Sequence, residues 1–318
     1  MRSGALLALG TGILLVCVLL PVLLAPPGAR GAMVPLPMAP VQAPEADTLW
    51  RTPRIVGYAA HTVAPDETLA ALAQRGGSSE ALIRSYNRLH GTPPPGRALI
   101  VPRLAGYDAT MPARALLVTR GPIDRSAVAL TLDAGGGSAP VPDILAALRE
   151  REVRVTFFLT GKWATENPDL VRQIVDDGHE LANHSLTHAD FTSLSDDAIQ
   201  EELRATEQII QEIAGTTTRP FFRPPYGAYN ERVLLTVIEQ GYLPVYWTLD
   251  SLDSVGEPKT PAFLLERITG SRSVEDLRGA IILAHCGSQA TADALPDILD
   301  RFAALGLEVR PLSEVLGP

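Results

Sequence analysis

The chain has 318 residues, 46% of them hydrophobic, and a formal net charge of −9. That length holds two domains, or one large domain with an appendage. The acidic balance excludes the basic footprint of a nucleic-acid binder and electrostatic attraction to anionic lipid. Arginine so outnumbers lysine, with Lys162 and Lys259 the only two, that no single Arg signals function by itself.

Residues 1–31 carry Arg2 and then an apolar run over 5–25, broken by Thr11 and Pro21. The run fits a secretory signal, with small residues at Ala29 and Gly31 for cleavage, and is also long enough to serve as an uncleaved membrane anchor. Either reading puts the rest of the chain outside the cytoplasm. Val16 before Cys17 denies a lipidated cysteine the small residue it needs. With 1–31 removed, Cys286 is the one cysteine left, so no disulfide framework holds the protein and packing must. Residues 32–54 are rich in Pro and Ala and read as an extended linker.

Residues 55–104 predict a compact unit. His61-Thr62-Val63 is strand-like, and Asp66 or Thr68 caps a short helix with Leu69, Leu72 and Ala73 on one face. Gly76-Gly77 breaks it, Ser79 opens a second helix, and Pro93 to Gly96 turns the chain into a strand over 98–101: strand–helix–helix–strand. Residues 105–125 read as a second linker. From 126 onward strands and helices alternate. Strands are expected over 128–132, 154–159, 179–182, 220–222, 243–247, 280–283 and 307–310. Helices are expected over 141–149, 168–174, 229–239 and 294–305, with a long one to Ile213 capped by Ser195. Alternation on this scale implies an α/β fold of parallel strands covered by helices, with chemical residues at strand C-terminal ends.

Those ends carry an ordered series: Asp133 in Thr131-Leu132-Asp133-Ala134-Gly135; His184-Ser185-Leu186-Thr187-His188; Arg223-Pro224-Pro225-Tyr226-Gly227; Asp250 to Asp253; and Leu283-Ala284-His285. Two imidazoles four residues apart can direct two nitrogens at one cation. The series reads as a metal-dependent amide hydrolase. Such a reaction needs an activated water, a base, oxyanion donors and an acid for the leaving amine. Taken singly, Asp133 reads equally as a helix cap, Tyr226 as part of a rigid turn, and Leu283 and Trp247 as core.

Residues 55–104 resemble a LysM module. The likeness rests on Thr-Val-x-Pro-x-x-Thr-Leu at 62–69, Asn87-Arg88-Leu89 and Gly-x-x-Leu-x-Val-Pro at 96–102. It implies binding of glycans containing N-acetylglucosamine, such as peptidoglycan or chitin. Residues 126–318 resemble the polysaccharide deacetylase (NodB-homology) domain of carbohydrate esterase family 4, five of whose motifs occur in order. That resemblance implies a distorted (β/α) barrel, secreted or membrane-anchored at the cell wall, that hydrolyses N-acetyl groups on cell-wall glycan. It implies His184 and His188 as ligands to a divalent metal, zinc foremost, with cobalt or manganese as alternatives. It further implies Asp133 as base, Arg223 as its partner, the Tyr226 N–H as oxyanion donor and His285 as acid held by Asp253. Leu283 would line the acetyl pocket and Trp247 would stand by the sugar.

Three positions depart from the family. Ala134 stands where the second Asp of Asp-Asp-Gly supplies the third metal ligand, Ser254 replaces a Trp, and Leu132 replaces a Phe. Loss of a ligand predicts weak metal binding, with Ser138, Asp190 or a water as replacements. It leaves a second reading open: a catalytically inactive glycan-binding cell-wall protein.

Overall fold

The computed structural model describes residues 54–270 and 272–317. The expected signal or anchor at 1–31 and the linker at 32–54 lie outside the described residues, apart from Arg54. No helix among the described residues is long and apolar enough to cross a membrane.

The first unit pairs β1 (Ile55–Thr62) antiparallel with β2 (Ala98–Leu104) around α1 (Leu69–Gly76) and α2 (Glu80–Tyr86). Thr68, not Asp66, caps α1, its side chain accepting from the Ala71 N–H, and Ser79 caps α2 in the same way. Gly77 ends α1 at φ 61°, a conformation glycine adopts freely. Leu69, Leu72, Ile83, Leu99 and Val101 close a small core.

The second unit is a parallel sheet with helices outside. In chain order it runs β3 (Ala127–Ala134), α3 (Val141–Glu150), β4 (Thr156–Leu159), α4 (Gly161–Glu166), α5 (Pro168–Asp176) and β5 (Glu180–Asn183). It continues with α6 (Asp196–Ala214), β6 (Phe221–Phe222), α7 (Glu231–Glu239), β7 (Leu243–Pro244), β8 (Leu249–Asp250), α8 (Pro261–Leu265) and α9 (Val274–Leu277). It ends with β9 (Ile281–His285), α10 (Gln289–Ala304), β10 (Glu308–Val309) and α11 (Leu312–Val315). The strand order is β7-β6-β5-β4-β3-β9-β8, with β10 on β3, and every pairing is parallel. This is the curled, partly open barrel expected. On β3 the side chains alternate: Val128, Leu130, Leu132 and Ala134 join the helix-side core, Ala129 the inner core, and Asp133 the cleft.

Several boundaries differ from expectation. The strand expected to Trp247 is regular only over Leu243–Pro244, although the Val245 N–H still donates to Phe222 O and the Tyr246 N–H to Val118 O, both at 2.7 Å. The last helix starts at Gln289, capped by Ser288, and runs through Pro296. Within 105–125, expected as a linker, Val118 bridges Val245 and Arg120 bridges Ala280.

The small unit sits on the barrel's floor. Ala60 and Ile100 share one apolar cluster with Ala129, Phe158, Ala182, Ile238 and Leu312. Tyr86 Oη donates to Gly241 O at 3.1 Å, Arg88 Nη2 to Thr217 O at 3.0 Å and Arg97 Nη1 to Ser313 O at 3.1 Å. Arg88 also forms an ion pair with Glu180 at 2.8 Å. Glu180, Thr217 and Gly241 all lie at or before the first residues of their strands, so the contact is with the N-terminal end of the sheet.

Candidate active site

At the opposite end a cleft of about 730 Å³ gathers Asp133, His184, His188, Tyr226, Trp247, Asp250, Asp253, Leu283 and His285. Of the residues to which the family resemblance gives a role, only Arg223 does not line it directly. Arg223 lies beneath, fully buried, over the Phe158 ring at 4.1 Å.

Asp133 ends β3 with one oxygen held. Arg223 Nη1 donates to its Oδ1 at 2.6 Å and to Thr131 Oγ1 at 2.9 Å, and Nη2 reaches Tyr246 O at 3.3 Å. The Thr131 hydroxyl donates to Ile282 O at 2.6 Å, which turns its lone pairs to the guanidinium. Burial pulls the Arg223 guanidinium down from its ordinary value, and Asp133 opposes it. Asp133 Oδ2, the free oxygen, faces His184 Nε2 at 3.5 Å.

His184 follows β5, and its Nδ1 lies 2.9 Å from Arg223 O. A carbonyl only accepts, so Nδ1 carries the proton and Nε2 keeps its lone pair. Burial first, partly offset by Asp133, lowers the His184 pKa to about 4, so the ring is neutral at pH 7. His188 stands edge-on at 5.0 Å between ring centroids, its pKa also lowered by burial. A neutral imidazole whose second nitrogen is fixed by a carbonyl is the form a metal ligand takes. His184 has that form, and the neighbouring His188 ring stands beside it. A third does not appear: among the described residues no set of three His, Cys, Asp or Glu converges to hold an ion. Neither Ser138 nor Asp190 lines the cleft. Asp190 instead accepts from the Thr192 N–H and hydroxyl.

His285 ends β9. Its Nδ1 meets Asp253 Oδ1 at 2.7 Å, while Asp253 Oδ2 accepts from the His285 N–H at 2.8 Å and Thr291 Oγ1 at 2.5 Å. Burial works against a charged imidazole here, but the Asp253 hydrogen bond and the charges of Asp133, Asp253 and Asp250 outweigh it and raise the pKa. Burial likewise opposes the Asp253 charge, and the bonds from His285 and Thr291 prevail, so its pKa falls. Ser254 Oγ lies 3.4 Å from His285 Nε2, at the position where a Trp was expected.

The sequence missed what the backbone does here. Ser185, His188, Tyr226 and Leu252 all have positive φ, at 74°, 64°, 59° and 62°. Strain of this kind gathers at sites where side chains must be aimed. Tyr226 itself is 72% exposed, with its ring 4.5 Å from that of His188. Thr131 and Thr291 were missed as well. Neither has a local spacing signal, and each is found through its partner.

A polysaccharide deacetylase model matches residues 120–245, and a LysM domain model matches 61–102. A chitooligosaccharide deacetylase of Rhizobium leguminosarum bv. trifolii is 32% identical over 196 residues, which is 62% of this chain and 85% of that one. The chain belongs to the polysaccharide deacetylase family. A peptidoglycan-N-acetylglucosamine deacetylase of Bacillus cereus is 32% identical over 190 residues, 58% of this polysaccharide deacetylase chain and 66% of that one. Among solved structures, a CE4 family pseudoenzyme from Bacillus anthracis is similar with a TM-score of 0.59 and 29% identity, covering 65% of this chain and 70% of its own. A mutant of that pseudoenzyme with restored activity has the same TM-score at 26% identity, covering 75% and 84%. The family match at 120–245 includes Asp133, His184, His188, Arg223 and Tyr226.

Proposed function

We propose that this deacetylase hydrolyses N-acetyl groups on cell-wall glycan, with peptidoglycan N-acetylglucosamine the foremost substrate, outside the cytoplasm. One observation carries the reading: a held carboxylate, two neutral imidazoles and a carboxylate-backed imidazole share a single cleft. When bound at His184 and His188, a divalent cation, zinc foremost, would lower the pKa of water and polarise the acetyl carbonyl.

The chain's own groups supply the rest. Asp133 takes the proton of the attacking water on Oδ2, because Arg223 occupies Oδ1 and aims the carboxylate. Leu283, buried on β9 at the cleft wall, receives the acetyl methyl. Trp247, half-buried and stacked on Tyr246 at 3.8 Å, offers its edge to the sugar. The Tyr226 N–H stands with the rigid Pro224-Pro225 turn as the oxyanion donor. His285, cationic through Asp253, gives the Nε2 proton to the leaving amine. The LysM module would add affinity for the polymer.

Acetate release from peptidoglycan and N-acetylglucosamine oligomers, after chelation and then with Zn²⁺, Co²⁺ or Mn²⁺ restored, tests this. Metal-dependent release is expected. Polymer binding with no release under any metal would favour the second reading, an inactive glycan-binding protein. That reading draws support from Ala134 and from the similar pseudoenzyme structure.

A further inference from the structure

We infer that Glu202, on α6, is the positioning residue that holds the His184–His188 loop in its ligand-presenting form. This rests on reading that loop as the cation site. The loop spans two positive-φ residues, Ser185 and His188, which an unsupported chain would leave for relaxed conformations. Glu202 reaches it with both oxygens. Oε2 accepts from the Leu186 and Thr187 N–H groups, each at 2.8 Å, and Oε1 from the Thr187 hydroxyl at 2.8 Å.

The other side of the loop is held too. The first amides of α4, Gly161 and Lys162, donate to Ser185 O and Leu186 O at 2.9 Å. A Cβ at Gly161 would come within 2.7 Å of Leu186 Cδ1, so a larger residue there would have to push that side chain aside. Within the loop, the Ser185 N–H donates to Asn183 Oδ1 and the His188 N–H to Ser185 Oγ, both at 2.9 Å. Of the groups that satisfy this backbone, Glu202 is the anionic one, and charge-assisted acceptance is the stronger kind. Removing it leaves the Leu186 N–H without its protein partner and hands the N–H and hydroxyl of exposed Thr187 to water, between flanks that stay fixed. The spacing of the two imidazoles is then no longer set.

The test uses the full chain, with Co²⁺ as probe, in titrations followed by visible absorption and by amide hydrogen exchange at residues 184–190. Glu202→Ala is expected to weaken Co²⁺ binding about 10–100-fold, as loss of a supporting group does, and to speed exchange at Leu186 and Thr187. Glu202→Gln, which keeps an acceptor oxygen, should restore most of both. Glu201→Ala, whose side chain pairs only with exposed Arg204, should change neither. Wild-type Co²⁺ affinity and unchanged exchange in Glu202→Ala would overturn the inference. Should wild type itself bind no Co²⁺, the cation reading fails separately. Glu202 is then judged by exchange alone: faster supports its role, unchanged refutes it. If the Ala variant does not fold, Glu202→Asp, one methylene too short to span both amides, carries the same two readings.

Discussion

His285 can donate a proton only while it is cationic, and three carboxylates keep it so against the cost of burial. As pH rises through that raised pKa the acid is lost, so kcat/KM should fall on the alkaline side. Asp253→Asn removes the anionic acceptor at Nδ1 and should draw the alkaline limb to lower pH. It should also cost roughly 100-fold in rate at neutral pH, the usual worth of a positioned acid. A pH–rate profile of both proteins checks it. Cys286 adjoins His285, yet its thiol is fully buried and burial pushes its pKa well up. Cys286→Ala should therefore keep acetate release within about twofold, and iodoacetamide should leave the enzyme active. Ala134, at the position where the family carries its third-ligand carboxylate, packs on the helix side of β3, so an Asp there must turn at the strand end to reach the cleft. Ala134→Asp should tighten Zn²⁺ by at least about tenfold in calorimetric titration. The residues that meet at the cleft could be picked out in the sequence because most sit in a short motif at a strand end. Glu202 could not, because only the fold brings α6 to the histidine loop.

Among the elements, the strands of the main sheet read well where β-branched and aromatic residues run together, as in Thr156-Phe157-Phe158-Leu159. The short ones read poorly. β7 and β8 have two residues each, and between them Trp247 stacks on Tyr246 at the cleft wall. α8 went unread although Thr260 caps it and Pro261 opens it, the expected start signal. α10 starts five residues before the expected Ala294, at Gln289, with Ser288 as its cap. The docking of α2 onto β5 could not be read at all, since Arg88 and Glu180 are distant in sequence and ordinary in type. Glu180 is buried, and besides Arg88 only the Thr156 hydroxyl and Ser313 N–H serve it. Arg88→Ala removes that ion pair but leaves buried Arg97 as a nearby cation, so it should cost about 1–3 kcal/mol, measured by urea denaturation of the full chain.

For the whole molecule, the apolar cluster that joins Ala60 and Ile100 to Phe158 and Ile238 makes the small unit part of the barrel's own interior. Residues 54–317 should therefore melt in a single calorimetric transition. A chain from 105 onward should lose several degrees of midpoint, because the floor is then bare to water. β5 measures what this arrangement means. Its first residue, Glu180, is gripped by Arg88, and its last, Asn183, leads directly into His184. Four residues of strand, roughly 13 Å, thus separate the module's foothold from the cleft, and the two face opposite ways. Were the module to hold glycan as proposed, the held stretch would lie at the other end of the sheet from the cleft, so the sugars edited would be far along the same polymer or on a neighbouring one. Oligomers too short to reach both ends would then gain nothing from the module.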